Sequence, residues 1–171
     1  MPKRTGPNYP SDLPNGNPLL DEVNRRILQV LTENARTGIS EVARRVGMSA
    51  PAVRERLARL EDSGVIRGYR LDVEPAAVGL PVAAWVRIKP GPGQLPRIAD
   101  LAERVSEVSE CYRISGEDCF LLKVHVSSIE ALEEVLDQFL ILGQTTSSFI
   151  VSTPVAPRTP APRPIRAAGS P

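Results

Sequence analysis

The chain has 171 residues, with 21 Lys and Arg against 20 Asp and Glu for a formal charge of +1; 42% of residues are hydrophobic and 4% aromatic. That length holds one or two small domains, not a large enzyme, and the apolar fraction is that of a folded chain. No apolar run approaches the ~18 residues of a membrane span and no signal-peptide pattern is present, so the expectation is a cytoplasmic protein with no membrane partner. One His and two Cys, at 111 and 119, leave little for a metal cluster or a Ser–His–Asp site. No catalytic residue, metal ligand or cofactor is therefore assigned.

Eleven of the 17 prolines fall in residues 1–18 and 154–171. Both ends lack apolar periodicity and read as disordered tails, the second carrying Arg158, Arg163 and Arg166 with no acid. The remainder divides into a first module at 19–74, a linker at 75–81 and a second module at 82–153. Charge separates the modules: residues 36–70 hold eight Arg and four acids, whereas residues 81–155 hold six basic residues and ten acids. A basic module points to a polyanion, although a solvated arginine-rich face has the same composition.

In the first module, Leu20, Val23, Ile27, Val30 and Leu31 recur at helical spacing over about 15 residues, with Asp21 and Glu22 in the first turn. Ser40 is the expected N-cap of a second helix carrying Val42, Ala43 and Val46 and ending at Gly47. A third starts at Ser49, whose hydroxyl is expected to accept from the Ala52 amide, with Pro51 in the first turn. Its buried stripe is Val53, Leu57 and Leu60, and Gly64 stops it. Val65, Ile66, Tyr69 and Leu71 then favour a strand or small wing.

Ala43, Gly47 and Val53 have the spacing a helix-turn-helix needs: a small residue where the helices approach, a glycine in the turn and an apolar anchor. In such a motif the start of the second helix enters the major groove. Ser49, Ala50 and Ala52 are small enough for close approach, and Arg54, Arg56 and Arg59 reach towards phosphates or guanine edges. The alternative is pairing of these arginines with Glu55, Glu61 and Asp62.

In the second module, Val82–Ile88 reads as a strand, Pro90–Gly93 as a loop and Leu95–Val105 as a helix. Cys111–Ile114 forms a short strand, Ser115–Asp118 a turn, and Phe120–Val126 a strand of alternating pattern. Ile129–Leu140 follows as a helix and Ser147–Ser152 as the last strand. The order βαββαβ is that of a ferredoxin-like α/β sandwich, giving an α+β protein with a winged helix-turn-helix in front. One sheet face takes both helices; the other, with Leu121, Lys123 and His125, suits burial against a second subunit. Cys111 is expected opposite about Leu122 and Cys119 opposite about Ile114, both as core or half-buried residues with no disulfide.

These residues resemble a known family. Ile27-Leu28, Glu41-Val42-Ala43, Gly47-Met48-Ser49, Arg56-Leu57, Leu60-Glu61 and Gly64-Val65-Ile66 in the first module match the Lrp/AsnC (leucine-responsive/asparagine regulator, feast/famine) transcription factors. Gly116-Glu117-Asp118, Leu121-Leu122-Lys123-Val124 and Gly143-Gln144-Thr145-Thr146 extend the match through the second. The resemblance implies a sequence-specific regulator of transcription that binds double-stranded DNA. It also implies a homodimer, often assembled into an octamer, that responds to a small effector, commonly an amino acid. The effector residues it implies are Ser115, Gly116, Glu117 and Asp118, where glycine admits a ligand backbone and the carboxylates accept from an α-ammonium. Two alternatives share the fold: an architectural protein with little sequence preference, and an enzyme similar to sirohaem decarboxylases, for which His125 is the one histidine available.

Overall fold

The computed structural model describes residues 19–160, so both ends of the chain, where the tails were expected, lie largely outside the described residues. The described chain forms two compact units, residues 19–70 with 157–160 and residues 71–156.

The first unit has three helices, α1 (Glu22–Glu33), α2 (Ile39–Val46) and α3 (Ala50–Asp62). Ile27, Val30, Val42, Ala43, Val46, Val53 and Leu57 close into one core between them. Asp21 is not inside the first turn of α1 but caps it, its side chain accepting from the Asn24 amide at 2.7 Å. Ser40, unlike Asp21, is not an N-cap. The turn at Asn34–Thr37 hands the extended backbone on to Gly38, whose carbonyl accepts the first helical bonds, so α2 begins at Ile39. Between α2 and α3, Gly47 sits at φ 72°, a conformation that costs glycine least.

The expected wing strand does not form. After α3 the chain is irregular through Glu74, and Gly68 at φ 140° interrupts its extended backbone. Instead of pairing in a ladder, the segment folds back on α3: the Ile66 amide donates to Leu60 and the Tyr69 hydroxyl donates to Glu61 at 2.9 Å. A single 3₁₀ turn at Pro75–Val78, already within the second unit, then precedes its first strand.

That unit runs β1 (Val82–Pro90), α4 (Leu95–Arg104), β2 (Val108–Arg113), β3 (Phe120–Val126), α5 (Ile129–Leu140) and β4 (Gly143–Phe149). The four strands form one antiparallel sheet in the order β2-β3-β1-β4, the arrangement of the α+β sandwich read from the sequence. Strict alternation in β3 places Phe120, Leu122, Val124 and Val126 in the core and leaves Leu121, Lys123 and His125 half-buried on the open face. Ile98, Ala102, Leu132, Val135 and Phe139 bring α4 and α5 onto the core side.

β4 spans Gly143–Phe149, not Ser147–Ser152. Its Thr-Thr-Ser-Ser sequence carries no apolar alternation, and its register is set by β1, with Gly143 opposite Pro90. Cys111 pairs with Leu122 as expected but is exposed rather than half-buried, because β2 is an edge strand with a register shift between Val108 and Glu110. Cys119 is half-buried, beside Ile114, whose amide donates to its carbonyl.

Candidate nucleic-acid interface and ligand turn

α3 is held by features its sequence dictates. Ser49 Oγ accepts from the Ala52 amide at 3.4 Å, Pro51 occupies the first turn, and Val53, Leu57 and Leu60 are buried. The opposite side stays exposed, with Ser49 and Arg54 open and Ala50 and Ala52 half-buried at the helix start. These four residues therefore gather towards one end of one helix, where the positive end of the helix dipole favours an anion.

The arginines differ in what holds them. Arg54 makes no ion pair or side-chain hydrogen bond among the described residues. Arg59 pairs with Glu55 one turn back at 2.5 Å, both side chains about two-thirds exposed, so the pair opens at little cost. Arg56 is different: its Nη1 donates to Asp21 Oδ2 at 2.6 Å and to Asn24 Oδ1 at 3.1 Å, both at the start of α1. The Asn24 amide, reinforced by Arg56, holds the Asp21 carboxyl below its ordinary pKa. Of the pairing anticipated along α3, only Arg59–Glu55 forms, since the Glu61 carboxylate receives the Tyr69 hydroxyl. Arg44 and Arg45 on α2 pair with Glu41 and Glu33.

In the second unit, the turn between β2 and β3 carries Ser115, Gly116, Glu117 and Asp118, with Gly116 at φ 110°. Its carboxylates are not free. Glu117 accepts from Lys89 Nζ at 2.5 Å, which holds its carboxyl below the usual range and raises the lysine, and Asp118 lies 3.6 Å from Arg87. Both cations come from alternate positions of β1. An open depression of about 380 Å³ lies beside the turn, lined by Lys89, the 90–93 loop, Leu95, Glu117 and Cys119. Of the four turn residues implied by the resemblance, Glu117 alone lines it. Lys89 and the 90–93 loop were not singled out from sequence: a lysine in a strand and a Pro-Gly-Pro-Gly loop carry no chemical signature until the sheet sets them against Glu117.

His125 sits half-buried on the open face with its Nδ1 buried and without a hydrogen-bond partner. Burial, then the nearby Lys123, lowers its pKa. On the same face Lys123 lies 3.5 Å from Glu110 and 6.0 Å from the centre of the Trp85 ring. No helix among the described residues is long and apolar enough to cross a membrane.

Comparison with known proteins covers both units. Residues 20–61 match the model of the AsnC-type helix-turn-helix domain, and residues 83–160 match that of the Lrp/AsnC ligand binding domain. The HTH-type transcriptional regulator LrpA of Mycobacterium tuberculosis is 36% identical over 140 residues, 80% of this chain and 93% of that one. Among solved structures, a feast or famine regulatory protein from M. tuberculosis complexed with L-methionine superposes with a TM-score of 0.79. It is 36% identical, and the match covers 84% of this chain and 99% of that chain. A transcriptional regulator from Neisseria meningitidis in complex with L-Met gives a TM-score of 0.76 at 28% identity, covering 84% of this chain and 96% of that one.

Proposed function

The chain belongs to the Lrp/AsnC family of transcriptional regulators, and from that premise we propose that it reads DNA with the start of α3 and answers to an amino acid at the β2–β3 turn. The observation that carries the DNA half is the start of α3, where Ser49, Ala50, Ala52 and Arg54, unpaired among the described residues, lie together and Arg59 is one weak ion pair away. The small residues permit approach to base edges, and the arginines supply phosphate or guanine contacts. In this reading residues 19–74 are the DNA-binding domain, 75–81 the linker and 82–153 the dimerisation and effector domain.

The effector half rests on charge. Lys89 and Arg87 stand opposite Glu117 and Asp118, so the site offers cations for an α-carboxylate and carboxylates for an α-ammonium. Relatives bound to L-methionine support this class of ligand. Dimerisation is assigned to the open sheet face, where Trp85, Leu121 and Lys123 are already half-buried in one chain. A symmetric dimer is expected to prefer pseudo-palindromic sites with half-sites roughly 34 Å apart. Assembly of dimers into an octamer is the further expectation, and the protein is placed in the cytoplasm.

The test is capture of genomic DNA fragments by the full chain at near-physiological salt, with and without a pool of the twenty amino acids. Enrichment of a few loci sharing a palindrome, with 5- to 150-fold changes in affinity on adding the pool, is the expected result at a coupling of about 1–3 kcal/mol. Broad retention without a motif would replace it with the architectural reading. No retention at any salt would return the question to an enzyme on the same fold. Sedimentation as a monomer at micromolar concentration would remove the dimer.

A further inference from the structure

Asn24 is the one polar side chain in the core among the described residues, 5% exposed. Its Nδ2 donates to the Leu19 carbonyl at 2.6 Å and its backbone amide to Asp21 Oδ1 at 2.7 Å. Its Oδ1 accepts from Arg56, 32 residues away in sequence. Without that guanidinium, a buried amide oxygen would lose its partner, a costly state in a low-dielectric interior. Asp21 serves twice: Oδ1 caps α1 and Oδ2 grips α3. All three helices share one apolar core, and the Arg56 bonds add a directed polar tie between α1 and α3.

We propose that Arg56 is a positioning residue of the reader helix, setting α3 against α1 through Asp21 and Asn24 and making no DNA contact of its own. The proposal rests on the reading of α3 as the DNA-binding element and separates its three arginines by task. Arg54 is unpaired among the described residues and Arg59 is held by one exposed ion pair, whereas Arg56 is the least exposed of the three, its Nη1 held by a carboxylate and a buried amide oxygen of α1 and its cap. A guanidinium suits this post because it serves two acceptors while staying charged at every working pH.

The experiment uses the full chain, a duplex it enriches from genomic fragments and a scrambled duplex of the same length, each titrated across a salt series. Arg54→Ala should weaken both duplexes and flatten the salt dependence by about one unit of slope, as expected for a lost phosphate contact. Arg56→Ala should weaken the enriched duplex about tenfold, leave the scrambled duplex nearly unchanged and keep the wild-type slope. Arg56→Lys should fall between, since the shorter lysine side chain keeps the charge but reaches the two acceptors less well. Asp21→Asn decides the sign. It removes a negative charge while keeping a competent helix cap, so simple electrostatics demands tighter DNA binding, whereas loss of positioning demands several-fold weaker binding to the enriched duplex. Arg56→Lys and Asp21→Asn carry the test if Arg56→Ala fails to fold. Tighter binding by Asp21→Asn, or a unit of slope lost in an Arg56 variant, would overturn the proposal alone. A wild-type chain that enriches no duplex would overturn the DNA reading and this proposal with it.

Discussion

The two units are stabilised by different means. The sheet unit closes fourteen buried residues into its core, with Phe120 and Phe139 each 1% exposed, while the helical unit closes seven, with no aromatic among them. A core that small contributes modest hydrophobic stabilisation, so the geometry of the helical unit leans on local devices. These are the Asp21 and Ser49 caps, the left-handed Gly47 and the Arg56 tie. The ion pairs cut across that division. Arg59–Glu55 joins neighbours one turn apart on α3 and opens easily, whereas Arg56–Asp21 and Arg45–Glu33 join different helices, as Lys89–Glu117 and Arg87–Asp118 join different elements of the sheet unit. Basic composition therefore does not measure availability; of the arginines on α3, Arg54 is the one left unpaired among the described residues.

The difference can be broken, first, by truncating the larger core. Phe120→Ala should cost the sheet unit roughly 3–5 kcal/mol, read from denaturant unfolding, and a cost under about 1 kcal/mol would mean that this core does not dominate its stability. Gly143→Ala should come next. A Cβ there would stand 2.9 Å from the Pro90 Cα and closer still to the Lys89 carbonyl oxygen, so β4 must move off β1, at about 1–3 kcal/mol. A normal melt for this variant would show that β4 can shift freely.

The helical unit answers to smaller changes. Ser49→Ala should cost about 1 kcal/mol by loss of the cap on α3, and should weaken DNA binding as well, because the same turn presents the reader residues. Ser49→Asp, which also caps, should restore the stability but not the DNA affinity, since it adds a negative charge at the groove end. Equal recovery of both would remove Ser49 from the interface.

The smallest effect concerns Tyr69. Burial, followed by its bond to Glu61, raises its pKa from 10.0 to about 12. Because the folded value is raised, its contribution is fully present below pH 10 and is lost as the pH climbs towards 12. Tyrosinate absorbance should therefore show a step near pH 12 that vanishes in Tyr69→Phe, with a stability loss at neutral pH of about 0.5–1 kcal/mol. A titration unchanged by the substitution would detach the segment after α3 from that helix.

Periodicity and caps are local, and they make much of this protein legible in its sequence. Val53, Leu57 and Leu60 declare their face of α3, Ser49 its start, and the alternation in Phe120–Val126 its strand, because each depends on neighbours within a turn or two of the same element. The motif residues of both units likewise carry the family resemblance. What depends on distant partners was decided by the tertiary structure. The wing does not form because Gly68 breaks the extended run and α3 takes up the segment; β4 is placed by its ladder to β1 rather than by its own polar sequence. Arg54, Arg56 and Arg59 look alike in one dimension. Only the fold, by bringing Asp21 and Asn24 to Arg56 across more than thirty residues, and Lys89 to Glu117 across twenty-eight, determines which charges are engaged and which stand free.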